Sequence, residues 1–139
     1  DEQVCAISFQ GRVACYDILH GSPLWNRDIS SDKGMTLLRK YLYLSDANGS
    51  VIVLDKTSGS TIWKNDQFSM RDVTAPLVLM DFVVVGDKEG YLHGLSREDG
   101  SYVARIKLDG GAIKATPNQL LDGLLVQTKS GGLFSISIK

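Results

Sequence analysis

His20 and His93 are the first side chains in this 139-residue sequence to test for chemistry, because an imidazole titrates near neutrality and can move a proton or hold zinc. Neither stands at ligand spacing from a carboxylate, a cysteine or the other histidine. His20 falls in a turn where a later, similar segment has Ser58, and His93 lies inside an apolar run, so a surface imidazole and a packed strand residue are the expected roles. Asp46-Ala47-Asn48-Gly49 and Asp87-Lys88-Glu89-Gly90 open in the manner of calcium loops. An EF-hand also needs a glutamate at the twelfth position and flanking helices, whereas a type I turn needs only Asp early and Gly last. The hairpin turn is therefore the expected reading of both. No serine sits in a G-x-S-x-G elbow, and neither Gly110-Gly111 nor Gly131-Gly132 opens a helix that could present amides to a phosphate. The sequence nominates no catalytic, cofactor-binding or metal-ligating residue, and it leaves the partner-binding residues unassigned.

The elements that hold these residues repeat. Val51 to Leu54 form a β-branched, apolar run suited to a strand buried on both faces. Asp55 to Gly59 make a turn in which the aspartate caps nearby amides and the glycine takes a positive φ; Thr61, Ile62 and Trp63 return. Gly11, Gly49, Gly90 and Gly131 stand 38, 41 and 41 residues apart. Six residues after each comes Asp17, Asp55, Ser96 or Ser137. Gly21, Gly59 and Gly100 follow, and then Trp25, Trp63 and, as a departure, Ala104. Ahead of the leading glycines lie the runs VCAIS, YLYLS, FVVVG and LLVQT, and Pro76 and Pro117 open a further strand before the last two.

Four short strands in about forty residues are the content of a β-propeller blade. The expected fold is all-β: one partial propeller of four-stranded antiparallel blades at 1–27, 34–66, 74–107 and 113–139, the first and last incomplete. Helical periodicity is absent, and the polar stretch Lys64 to Val73 reads as a loop between blades. Trp25 and Trp63 read as wedges between blades rather than as ligand-stacking platforms. Asp1-Glu2-Gln3 leads directly into a second blade strand, which points to a piece of a longer protein, and the stop after Ile138-Lys139 matches a natural end. Bare blade faces at either end are expected to make the chain self-associate.

Fifteen basic and sixteen acidic residues give a net charge of −1, and the basic ones are scattered, so no nucleic-acid partner is expected. Arg39-Lys40 reads as a solvated strand edge. No apolar run reaches membrane-spanning length. With Ser8 to Gly11 as a four-residue turn, Cys5 sits opposite Ala14 and Cys15 faces the other side, which disfavours a disulfide; a one-residue change in the loop would bring the two opposite each other.

The D-x-x-x-G-x-x-x-W spacing at 17–25 and 55–63 resembles the tryptophan-docking motif of PQQ-like propeller repeats, which enzymes and non-enzymes share. A narrower match covers VVVGDKEGYLHGLSREDGSYVARIKL at 83–108, with TAPLVL before it and LLVQTKSGGLFSIS after it. It resembles the C-terminal blades of the BamB family, lipoprotein scaffolds of the machinery that inserts β-barrel proteins into the bacterial outer membrane. That resemblance implies an eight-bladed ring on the periplasmic face of the outer membrane, tethered by a lipidated cysteine outside this chain. It implies no cofactor and no catalysis. It also implies docking on the POTRA domains of the barrel-forming subunit. Strands of unfolded outer-membrane proteins are a further candidate partner on the fold alone, since an exposed sheet edge can receive an extended chain by strand addition. The alternative is a fragment of a quinone (PQQ)-dependent dehydrogenase, whose calcium-bound quinone needs acidic ligands near the axis and, commonly, adjacent cysteines; this sequence shows neither. Ser96, Ser137 and Ala104 depart from the repeat and imply looser wedging in the last two blades.

Overall fold

Val51 to Leu54 are all buried, and alternate residues serve opposite faces. Ile52 and Leu54 pack with Val13, Cys15, Leu42 and Leu44, whereas Val51 and Val53 pack with Tyr43, Val83, Val85 and Leu95. A strand covered on both faces has no use for polar alternation, so its sequence reads as an unbroken apolar run. The computed structural model describes residues 2–138. It contains fourteen strands in four antiparallel sheets, and among the described residues none is helical.

The first sheet holds β1 (Gln3–Ser8), β2 (Arg12–Asp17) and β3 (Pro23–Arg27). The second holds β4 (Met35–Leu38), β5 (Tyr41–Ser45), β6 (Val51–Asp55) and β7 (Thr61–Asn65). The third holds β8 (Leu77–Leu79), β9 (Phe82–Gly86), β10 (Tyr91–Ser96) and β11 (Tyr102–Lys107). The fourth holds β12 (Asn118–Leu120), β13 (Gly123–Gln127) and β14 (Leu133–Ser137). Within each sheet the strands lie side by side in chain order. One apolar core lies between each successive pair of sheets, the last built from Leu79, Val84, Leu92, Ile113, Leu124 and Val126. The short strand β8 lies against both β4 and β12, so the first strands of these sheets converge along one side, as the inner strands of propeller blades do.

The first hairpin departs from expectation. Ser8 pairs with Arg12 across a three-residue loop closed by Gly11 at φ 104°, which sets Cys5 opposite Cys15 with their Cα atoms 4.1 Å apart and joined by a disulfide. Counting Ser8 inside the turn shifted the register by one residue. A type I turn followed by a left-handed glycine encloses only three residues, and the residue before them remains in the ladder. The later copies agree, with the Asp46 and Asp87 amides bonded to the carbonyls of Ser50 and Tyr91. The bridge closes a loop of sequence separation 10, so replacing both cysteines by alanine is expected to cost about 2–3 kcal/mol. Urea unfolding of that double variant checks this; an unchanged midpoint would contradict it.

Two smaller expectations also change. Arg39-Lys40 forms the tip of the two-residue turn between β4 and β5, with Arg39 at φ 56°, and does not run along a strand edge. Pro76 and Pro117 immediately precede β8 and β12 instead of opening them. The stretch 64–73 is a loop once Lys64 and Asn65 have finished β7, and it buries Phe68 and Val73 in the core between the second and third sheets.

Candidate functional site

The seams between sheets are built from a turn and an indole. In β6 and the turn after it, Asp55 Oδ1 accepts the amides of Thr57 and Ser58 at 2.8 and 3.0 Å, and the Gly59 amide donates to the Asp55 carbonyl at 2.8 Å. Gly59 takes φ 75°, and its missing side chain leaves the place where Trp25 lies; a Cβ there would overlap the indole. Trp25 Nε1 donates to the Lys56 carbonyl at 2.7 Å, and Arg27 Nη1 donates to the Gly59 carbonyl at 2.7 Å. The next seam repeats this arrangement. Trp63 lies on Gly100, its Nε1 donates to the Arg97 carbonyl at 2.9 Å, and Asn65 Nδ2 donates to the Gly100 carbonyl at 2.8 Å. Ser96 caps its turn more weakly than Asp55, accepting the Glu98 amide at 3.3 Å. At Ala104 there is no indole, and an apolar groove of about 200 Å³ opens among Phe82, Val84, Leu92, Ile106, Leu124 and Ile138.

The structure gives both histidines a carboxylate, contrary to the sequence reading. His20 Nδ1 lies 2.7 Å from Asp17 Oδ2 at the surface. His93 is buried, with Nε2 2.7 Å from Asp87 Oδ2 and Nδ1 2.6 Å from the Tyr102 hydroxyl. Asp87 heads the hairpin and pairs with Tyr91, so His93, two residues on, is its diagonal neighbour on the same face. Asp87 also accepts Arg71 Nη1 at 3.0 Å and the Glu89 and Tyr91 amides at 2.9 and 3.0 Å. Burial pushes the Asp87 carboxyl up, but the bonds from His93, the Tyr91 amide, Arg71 and the Glu89 amide outweigh it and hold the group below the usual range. Burial lowers His93 against the upward pull of Asp87. A neutral imidazole that donates from Nε2 to Asp87 and accepts the Tyr102 hydroxyl proton at Nδ1 satisfies every partner. The cluster ties the loop carrying Phe68 and Arg71 to the third sheet.

Asp72, at φ 51°, joins three inter-sheet loops by bonding Lys33 at 3.0 Å and Lys114 at 2.8 Å. The lysine bonds, Lys114 first and then Lys33, lower its carboxyl to about 2. Its folded pKa is depressed, so its contribution to stability is present above the ordinary value of 3.8 and is lost as pH falls through about 2. At 40% side-chain exposure that contribution is small. The expected result is a carboxyl carbon resonance of Asp72 titrating near 2, moving toward the ordinary carboxylate range in Lys114→Ala; a midpoint near 3.8 in the parent chain would contradict the bridge.

Asp46 and Asp87 work as hairpin caps, each bonding the amides two and four residues on. Among the described residues no group of three His, Cys, Asp or Glu side chains could hold a metal ion. Gly110 takes φ 85° in the turn that follows β11, and Gly131 takes φ 95° in the loop between β13 and β14. Between the second and third sheets a cleft of about 520 Å³ is lined by Tyr41, Tyr43, Ile62, Asp81, Arg97 and Glu98.

Antiparallel sheets stacked in chain order, with the indole of one seated on the turn glycine of the next, define a partial β-propeller of PQQ-like repeats. Residues 1–65 match a family model described as "Outer membrane protein assembly factor BamB". The outer membrane protein assembly factor BamB of Bordetella pertussis is 40% identical over 134 residues, which is 96% of this chain and 35% of that protein. The chain belongs to the BamB family and spans about a third of the length of the curated relatives it matches. The crystal structure of BamB from Moraxella catarrhalis superposes with a TM-score of 0.89 at 25% identity, covering 99% of this chain and 41% of that one. A europium-containing methanol dehydrogenase superposes with a TM-score of 0.63 at 19% identity over 78% of this chain and 23% of its own, a likeness of fold alone.

Proposed function

We propose that this chain is part of a non-catalytic scaffold of the machinery that assembles outer-membrane β-barrel proteins, working at the periplasmic face of the outer membrane. The observation that carries the reading is the 40% identity, over 96% of the chain, to a protein named for that assembly role. The Asp87–His93–Tyr102 cluster is bonded internally and serves to fasten a loop to the third sheet. The fold suits the task. Sheets locked at their seams make a rigid body, and the turns at either end offer surfaces to which a partner can bind without distorting the core.

The partner in this reading is the POTRA region of the barrel-forming subunit, and a lipid anchor elsewhere in the full-length protein holds the ring to the membrane. Strands of unfolded outer-membrane proteins are a second partner, received by pairing with an exposed sheet edge. The four sheets form one partial propeller domain with blades at 1–27, 34–66, 74–107 and 113–139. The dehydrogenase reading gains nothing from the structural likeness, which at 19% identity concerns the fold.

Cross-linking in cells tests this. With photoreactive residues on the turns of the full-length protein, cross-links to the barrel-forming subunit are expected, and their absence from every position would overturn the proposal. Links to that subunit without any to unfolded barrel precursors would remove the substrate-strand element alone. For the 139-residue chain by itself, light scattering at micromolar concentration is expected to show association through its bare sheet faces; a stable monomer would contradict this.

A further inference from the structure

We propose that the outer edge of the third sheet, strand β11, receives an extended segment of a partner polypeptide by strand addition, and that it selects a segment with carboxylates at alternate positions. The inference deepens the scaffold reading on which it rests, by naming the edge and the chemistry of the strand. β3, β7 and β11 occupy the same outer position in the first three sheets. They are not equally available. β3 opens on Pro23, which has no amide hydrogen, and β7 buries Trp63 and Asn65 in a seam. β11 has six residues, no proline, and every one of them is exposed. Its sheet packs against the second and the fourth on its two faces, so the edge is open by its place in the sheet.

The charge sits on the face that β11 turns toward the second sheet. Arg105 and Lys107 stand two residues apart, so both side chains leave the same face, opposite His93 and Tyr91 of β10. The Arg105 guanidinium lies 4.9 Å and the Lys107 amine 5.6 Å from the centre of the Tyr91 ring, with the Arg71 guanidinium 5.9 Å from it. Arg71 is answered by Asp87 and Glu89, at 3.0 and 3.7 Å. Among the described residues no carboxylate bridges Arg105 or Lys107. Two uncompensated cations are therefore held together over one aromatic ring.

That placement implies selection. A strand added beyond β11 sets its side chains about 4.5–5.5 Å from those directly opposite. Carboxylates two residues apart meet Arg105 and Lys107 in turn, whereas lysines or arginines at those positions are repelled. Charges on an edge keep most strands away, and the same charges admit a strand of opposite sign. Backbone bonds to the edge supply the affinity in this mode, and the alternating side chains supply the choice.

The test measures, by fluorescence anisotropy, binding of the full-length protein to the labelled, end-blocked peptide Thr-Val-Glu-Val-Glu-Val-Thr and to versions with glutamine or lysine in place of both glutamates. The glutamate peptide is expected to bind about fivefold tighter than the glutamine one, as two exposed cross-strand ion pairs predict, and the lysine peptide more weakly than either. N-methylation of alternate backbone amides in the glutamate peptide should abolish binding. The double variant Arg105→Glu, Lys107→Glu should reverse the order and favour the lysine peptide, a gain that a misfolded chain could not show. Equal binding of all three peptides, an order unchanged in the double variant, or full binding of the N-methylated peptide would each overturn the proposal. So would binding to phosphatidylglycerol vesicles that the double variant abolishes, with no peptide bound. Cross-links from the full-length protein to the barrel-forming subunit test the scaffold reading separately and should persist in the double variant; such cross-links without peptide binding would overturn this proposal alone.

Discussion

Trp63→Ala destabilises the chain by about 3–5 kcal/mol, the range for deleting a large aromatic from a packed core. Trp63 is 7% exposed, touches the core shared by the second and third sheets, and lies directly on the Gly100 backbone. Its removal uncovers the glycine, leaves the Arg97 carbonyl without its indole donor, and opens a void that the backbone turn is too rigid to fill. Trp25→Ala costs less, because Trp25 is only partly buried at the edge of its core. Urea denaturation of both variants gives the comparison. A loss below about 1 kcal/mol for Trp63→Ala would mean that the indole is not a wedge.

Asp87→Ala produces the second large effect, again about 3–5 kcal/mol, by a different mechanism. Asp87 is 0% exposed and accepts bonds from His93, Arg71 and two backbone amides, so its loss strands four donors, one of them on a cation. The cost is the desolvation of groups left without an acceptor, and Asp87→Asn recovers only part of it because an amide cannot accept at both positions. The same cluster sets an acid limit. His93 and Asp87 both have folded pKa values depressed below their ordinary 6.5 and 3.8. Each therefore contributes stability that is present above its ordinary value and is lost as pH falls through its lower folded value. Unfolding free energy should begin to decline as pH drops below 6.5, and His93→Gln should remove that first phase while retaining the later one. A flat profile down to pH 4 in the parent chain would contradict the assignment.

The parts of the fold that depend on local chemistry were legible in the sequence. Unbroken runs such as VIVL mark strands with two apolar faces, and the Asp-to-Gly-to-Trp spacing marks a capped turn with an indole returning beside it. What escaped depends on register and on contacts between loops. The Cys5–Cys15 bridge turned on whether Ser8 belongs to the turn or the ladder, a difference of one residue that exchanges the faces of a strand. The Asp87–His93 contact lies on a diagonal across a hairpin, a spacing that resembles no ligand motif, although the correct pairing of Asp87 with Tyr91 would have exposed it. Asp72 meets Lys33 and Lys114 only because three inter-sheet loops converge, and neither sequence distance carries a signal. The seams illustrate both cases. Their tryptophans were readable, but the second donors Arg27 and Asn65 were not, since different residue types perform the same task.

The scaffold reading faces its most direct test in a calorimetric titration of the full-length protein, first with the purified POTRA region of the barrel-forming subunit and then with PQQ and calcium. Saturable heat with the POTRA region and none with the quinone and calcium is the predicted result. Stoichiometric quinone binding, with no heat from the POTRA region, would contradict it.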